Sequence, residues 1–360
     1  MKFIYDLLKR FLSSDLGKGS LILFILINIF NFLNYFFHFT MARLLTPADY
    51  GVLGVLMSIV YIYSIPAEAI QGIFSKYTTR VSGENKKTKY LIKKGLEKVF
   101  VYGLGAFIIA SFIGFFLSYL LNINFWLIFL INFMIFGILI TSVFRGILQG
   151  KKRFSYLGWN MVIESGIRLI IAIPLVLIGL SVFGSVVGVI VGTIFGILFA
   201  ALNLKIILHS KEEKTKLDGI KSYSTSFIGA MVAIVLMYSL DIILARRFFP
   251  EDIVGKYTVL SMLSKMIFFG TLPIAKALFP VSSEKFVNKE NTKPLFYKSL
   301  LVTLSLCVIA VLCFLFFPKL VIGLLFGRKY IEVAAYLVYI GLAIAFLSLA
   351  NLVVFYGQLY

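Results

Sequence analysis

The residues of this 360-residue chain best placed to do chemistry are the charged and amide side chains lying inside long apolar runs. An ionised group in hydrocarbon costs about 2.5–3.5 kcal/mol on insertion scales, so a charge kept there needs a watery cavity or a partner. Lys265 and Lys276 stand eleven residues apart in one such run. At about 100° per residue they share nearly one helical face, roughly 16 Å apart along the axis. Pro273 between them removes a backbone donor and predicts a kink. One reading is a cationic stripe for an anionic ligand, since ammonium groups act on phosphate as mobile point charges. In the other, Lys276 snorkels to the membrane face and Lys265 pairs with Asp241.

Asn28, Asn31, Asn34 and His38 fall within about a 120° arc of one helix. Such a face can hydrogen-bond hydroxyl groups across an aqueous lumen, or equally hold neighbouring helices together. Glu164 and Arg168 stand at i, i+4, the favourable order for an intrahelical ion pair, and a neutralised pair is cheaper to bury than either charge alone. Glu68, beside Pro66, is either a partner for Lys276 or Arg168 or a protonation site. Arg43 and Arg246 are each followed four residues later by proline (Pro47, Pro250), which predicts a turn ending one helix and starting the next.

These residues need apolar elements to hold them. The chain is 60% hydrophobic and 14% charged, against about 45–50% and 25% in soluble domains. The apolar blocks run to roughly 20 residues, enough to cross about 30 Å of hydrocarbon as helix. Stretches such as 99–121 lack the alternation of a membrane β-strand. The expected fold is therefore all-α and polytopic, with about ten transmembrane helices. The first five are Ser20–Leu44, Gly51–Phe74, Leu96–Leu121, Asn124–Ile147 and Asn160–Leu180. The second five are Val182–Leu208, Tyr223–Ala245, Val254–Val281, Ser299–Phe317 and Val333–Tyr356. Short turns at 121–124 and 180–183 predict tight helical hairpins. Residues 1–19 read as an interfacial segment, amphipathic over Met1–Ser14.

The net charge of +19 is not spread evenly. The N-terminal segment and the loops after even-numbered spans, with the adjoining span ends, hold 25 of the 35 Lys and Arg; the other loops hold 7. That asymmetry places the N-terminus in the cytoplasm of a cell membrane and makes anionic lipids, not nucleic acid, the partners of the basic loops. The cluster Lys86, Lys87, Lys89, Lys93 and Lys94 belongs to that pattern. Cys307 and Cys313 share one apolar segment and support neither a disulfide framework nor a metal site. No phosphate-binding loop, metal-spaced cluster or nucleophile elbow is present, so no enzyme activity, ATP hydrolysis or cofactor is expected.

An internal repeat organises the spans. Ala42-Arg43-Leu-Leu-Thr-Pro47-Ala-Asp49-Tyr50-Gly51 recurs 203 residues on as Ala245-Arg246-Arg-Phe-Phe-Pro250-Glu-Asp252-Ile-Val-Gly255. Six spans separate the two copies. The expected domains are residues 20–210, a first bundle of six helices, and residues 211–360, the first four of a second bundle in the same orientation. Parallel repeats of this kind are typical of transporters that alternate access between two halves.

At this motif, Met41 to Gly54, and at Arg145-Gly-Ile-Leu-Gln-Gly150 and Asp241 to Tyr257, the chain resembles the polysaccharide-biosynthesis, or lipid-linked oligosaccharide flippase, family of the multidrug/oligosaccharidyl-lipid/polysaccharide exporter superfamily. The resemblance covers essentially the whole chain. It implies twelve or fourteen helices. Phe355-Tyr-Gly-Gln358 matches Leu148-Gln-Gly-Lys151 at the end of span four, so the second bundle reads as incomplete. The implied function is movement of a polyprenyl-diphosphate-linked oligosaccharide from the cytoplasmic to the outer leaflet. Lys265, Lys276 and Arg43 would meet the diphosphate, and Asn28, Asn31, Asn34 and His38 the sugars. Glycosyltransferases or a polymerase are candidate partners. Two alternatives stand beside it, a drug/cation antiporter of the same superfamily and a non-transporting assembly protein for polysaccharide synthesis. The basic face of span eight favours anionic cargo over the antiporter.

Overall fold

The computed structural model describes residues 15–81, 83–215, 225–287 and 290–357, and all regular structure among them is helical. Residues 1–14, where an interfacial helix is expected, lie outside the described residues. In chain order the helices are α1 Asp15–Leu44, α2 Pro47–Tyr63, α3 Ile65–Arg80, α4 Asn85–Leu121, α5 Phe125–Asn132, α6 Met134–Gly150 and α7 Phe154–Leu175. They continue as α8 Ser181–Asn203, α9 Lys205–Leu208, α10 Thr225–Phe248, α11 Glu251–Val287, α12 Lys293–Phe316, α13 Pro318–Leu325 and α14 Leu337–Gly357. A wide turn, Val176–Leu180, joins α7 to α8, and a 3-10 segment, Arg328–Tyr336, precedes α14.

Among the described residues, eight helices are long and apolar enough to cross a membrane. One of them, Phe154–Asn203, is 50 residues long and holds two spans, because the chain reverses inside it. Pro174 withholds a donor from the last turn of α7, and Gly179 and Ser181 take positive φ angles of 96° and 43°. The two arms then run antiparallel at very close range. A Cβ at Gly184 would lie 2.9 Å from the Leu175 backbone, one at Gly188 2.6 Å from Ala172, and one at Gly192 2.6 Å from the Glu164 carbonyl. Glycine at every fourth position keeps one helical face bare, which lets backbones approach where no hydrophobic force drives helices together.

The expected spans two and four are each broken into two helices. Ser64 starts α3, and Pro66 cannot donate back into α2. The second break, at Phe133, lies beside the first: Tyr63 donates to Asn132 at 2.6 Å, and Asn132 donates to Ser111. Asn122 ends α4 in the left-handed region that asparagine tolerates, and Asn124 caps α5 by accepting from the Trp126 amide. The short helix α13, begun by Pro318, adds an element between spans nine and ten that hydropathy did not separate.

The chain forms two compact units. The first comprises residues up to Leu44 and Ile59–Lys221; the second comprises Leu45–Ser58 and Ser222 onward. In the first, α1 lies against α7, α3 against α6, and α4 against α6. The Arg145–Gly150 motif explains the closest of these contacts. Gly146 and Gly150 let α3 approach so that a Cβ would stand 2.7 Å from the Gln71 carbonyl and 2.5 Å from that of Ser75, while Gln149 accepts from Gln71. At the basic end, the segment after α9 is tied to α4 by Lys93–Glu212 at 2.9 Å and by Lys89 donating to the Ser210 carbonyl. The hydrogen bond to Glu212 holds the Lys93 ammonium above its ordinary pKa.

In the second unit α11 and α12 both pack on α14. Residues 45–58, which include the first copy of the repeated motif from Leu45 onward, belong here. Tyr50 is fully buried between the rings of Phe326 and Tyr330, and Lys329 donates to the Leu45 carbonyl at 2.5 Å. A Cβ at Gly51 would lie 2.9 Å from the Gly255 amide nitrogen. The two copies of the repeat therefore touch through their glycines.

Candidate functional site

The densest polar cluster in the first unit is built on one face of α7. Asn160, Glu164 and Arg168 stand at i, i+4 and i+8, which brings all three to the same side of the helix. Arg145 of α6 meets them. Its Nη2 donates to Glu164 Oε2 at 2.6 Å and its Nε to Asn160 Oδ1 at 2.7 Å, while Asn160 Nδ2 donates to the Gly196 carbonyl. Glu164 Oε1 faces Arg168 Nη2 at 3.6 Å and accepts from Thr193 of α8 at 3.4 Å. Arg168 Nη1 donates to Asn34 Oδ1 of α1 at 2.7 Å, and its guanidinium lies over the Phe37 ring.

Two guanidinium groups thus share one carboxylate. The side chains are only 15%, 10% and 13% exposed for Arg145, Glu164 and Arg168. Both oxygens of Glu164 are occupied. Arg168 Nε, by contrast, is buried without a hydrogen-bond partner among the described residues. A group with an excess of one positive charge and an unused donor can accept an anion, whereas a cation would be repelled.

The second unit carries a separate cluster. Asp241 of α10 accepts from Ser261 at 2.5 Å and from Tyr257 at 3.4 Å, and faces Lys265 Nζ at 3.2 Å. Tyr257, Ser261 and Lys265 again follow the i, i+4, i+8 rule on α11. The Lys265 side chain is 1% exposed, so its charge is balanced by Asp241 in a dry setting. Lys276, eleven residues along, is exposed.

The remaining sequence candidates are dispersed. Asn28 is exposed and returns its amide to the Phe24 carbonyl of its own helix. Asn31 is half-buried, and His38 is buried edge-on to Phe37. Of this face, Asn34 is the residue joined to the arginine cluster. Glu68 is exposed in the first turn of α3, and Arg43 is exposed in the last turn of α1. Arg246 closes the Pro250 turn through Glu251 at 2.6 Å. Sequence reasoning did not bring Arg145, Asn160 or Thr193 into the site. The available signal was the repeat of polar residues every fourth position from Asn160, inside an otherwise apolar helix. Among the described residues no group of acidic, histidine and cysteine side chains could hold a metal ion.

Residues 16–286 match the profile of the polysaccharide biosynthesis protein family. The chain belongs to this family. No curated protein matches the chain. The fold is that of a solved multidrug resistance MATE family transporter of the MOP superfamily in an inward-facing conformation, with a TM-score of 0.67 at 15% identity, covering 91% of this chain and 81% of that one. It is also similar to a MATE protein in complex with MaD3S, with a TM-score of 0.59 at 16% identity over 97% and 85% of the two chains. A third similar structure is a MOP superfamily transporter from Pyrococcus furiosus, described by the reverse polarity of its binding pocket, with a TM-score of 0.51 at 15% identity over 97% and 85%. Family membership and the apolar helices agree with a multi-pass membrane protein, and its fold is one shared with these transporters.

Proposed function

We propose that this member of the polysaccharide biosynthesis protein family is a flippase, carrying a polyprenyl-diphosphate-linked oligosaccharide between leaflets by alternating access. The observation that carries the reading is the arginine cluster, in which Arg145 and Arg168 share Glu164 and leave the Arg168 Nε–H unused. A diphosphate offers the charge and acceptor oxygens this arrangement lacks, and Asn34, which accepts from Arg168 and donates to the Phe30 carbonyl, keeps a second amide hydrogen for a sugar hydroxyl. The lipid tail would stay in the bilayer, so only the charged head needs shelter. The P. furiosus protein, described by the reverse polarity of its pocket, is a precedent within the fold for a function set by pocket charge. A drug/cation antiporter would require carboxylates open to a cationic cargo. Here Glu164 and Asp241 each already hold a cationic side chain, which favours anionic cargo.

The test is translocation of a polyprenyl-diphosphate-linked oligosaccharide by the full chain in vesicles. Losing one charge-assisted hydrogen bond is worth about 1.5–3 kcal/mol, so Arg168→Gln is expected to slow translocation roughly tenfold or more, with Arg168→Lys intermediate. Lys276→Gln reports on the span-eight stripe without disturbing the Asp241 pair. Normal translocation by Arg168→Gln would overturn the assignment of the head group to this cluster.

A further inference from the structure

A cleft of about 190 Å³ opens on the first unit between α3, α4 and α6. Its wall is apolar: Ile70 and Phe74 from α3, Val99 from α4 and Leu139 from α6. Its position along α4 decides what can enter it. At 37 residues, α4 is about 55 Å long, far more than the roughly 30 Å of a hydrocarbon core. Residues 99–121 carry no charge, so that stretch is the span, and the preceding turns, with their lysines, project beyond it. Lys98 is the last charged residue before hydrocarbon, and Lys94 lies one turn back; both line the cleft, with Tyr102 one turn deeper. Tyr102 is 71% exposed, and its neighbours Phe100 and Val101 are also exposed apolar residues, so this side of α4 faces lipid.

The cleft thus has an apolar interior at acyl-chain depth and ammonium groups at phosphate depth. Lys94 is held by Glu97 at 2.5 Å, whereas Lys98 has no ion-pair partner among the described residues. We propose that the cleft is a binding site for an anionic phospholipid of the surrounding leaflet. One acyl chain lies between α3 and α4, and the headgroup phosphate rests on Lys98 with Lys94 beside it. Basic pockets between spans at a membrane face suit this chemistry. The site is separate from the arginine cluster: Leu139 and Val143 of α6 sit in the apolar cluster beneath the cleft, while Arg145 on the same helix reaches α7. That separation favours bulk phospholipid over the cargo's prenyl tail as the occupant.

Tyr102→Trp, at an exposed position, places a reporter in the cleft once Trp126 and Trp159 are changed to Phe. The full chain is reconstituted in phosphatidylcholine vesicles containing brominated phosphatidylglycerol or brominated phosphatidylcholine. Quenching is expected to show an apparent preference for phosphatidylglycerol of about fivefold, from one unpaired ammonium near the surface. Lys98→Gln should abolish that preference while leaving quenching by phosphatidylcholine unchanged, a result that loss of fold would not give. Equal quenching by both lipids, insensitive to Lys98→Gln, would mean a general lipid annulus and overturn the proposal. So would quenching relieved by polyprenyl phosphate but not by unbrominated phosphatidylglycerol.

Discussion

Glu164 shows how a buried carboxylate is made tolerable in a membrane protein, and at what risk. It is held by Arg145 at 2.6 Å, by Arg168 and by Thr193, so removing it leaves two guanidinium groups facing each other with little solvent. Breaking a buried pair by deleting one partner costs about 3–5 kcal/mol, whereas replacing both partners with apolar groups is often far milder. Glu164→Ala is therefore expected to lower stability by about 3–5 kcal/mol in denaturant titration of the purified protein. Arg145→Met combined with Glu164→Met is expected to lose less than the single change. A double variant as damaged as the single one would show that the pair is not coupled in this way. The i, i+4 spacing of Glu164 and Arg168 was legible in the sequence, and their 3.6 Å approach follows from it. The shorter bond was not legible. Arg145 falls at the basic end of span four and counts there as a loop charge, and only packing of α6 on α7 aims it inward.

At the scale of elements, the α7–α8 hairpin depends on bare backbone. A side chain at Gly188 would meet Ala172, and one at Gly192 would meet the backbone of Glu164 and Arg168. Gly188→Leu and Gly192→Leu should each force the arms apart and misplace Glu164 and Arg168 together, seen as loss of monodisperse protein on size exclusion. Gly105 and Gly166 give the contrast, since a Cβ at either meets nothing within 4 Å. Alanine there should be neutral or gain up to about 1 kcal/mol of helix propensity in the same denaturant titration. Hydropathy located the helices well: α1, α10 and α12 coincide with their expected spans to within three residues at their C-terminal ends and six at their N-terminal ends. It could not locate the breaks at Ser64 and Phe133, because a run stays apolar whether or not its backbone bends.

At the scale of the whole molecule, charge asymmetry makes a prediction independent of any site. With Cys307 and Cys313 replaced by serine, a single cysteine at position 151 or 214 should react with a membrane-impermeant thiol reagent only from the cytoplasmic side. A cysteine at 319 should react only from outside. The reverse pattern would refute the orientation read from the loops. What the sequence determined by itself was the all-helical membrane fold, the order of its spans, the repeat, and the presence of charges that must be paired or used. Those follow from local quantities: apolar length, charge and helical period. Tertiary structure decided between the pairings the sequence left open and added Arg145, which it did not offer. It gave Lys265 to Asp241, gathered Arg145, Glu164, Arg168 and Asn34 from three helices, and folded Leu45–Ser58 of the first repeat into the second unit. Such partners are distant in sequence, and they are fixed by backbone approach at Gly51, Gly146, Gly192 and Gly255, where the missing side chain leaves no hydropathic signal.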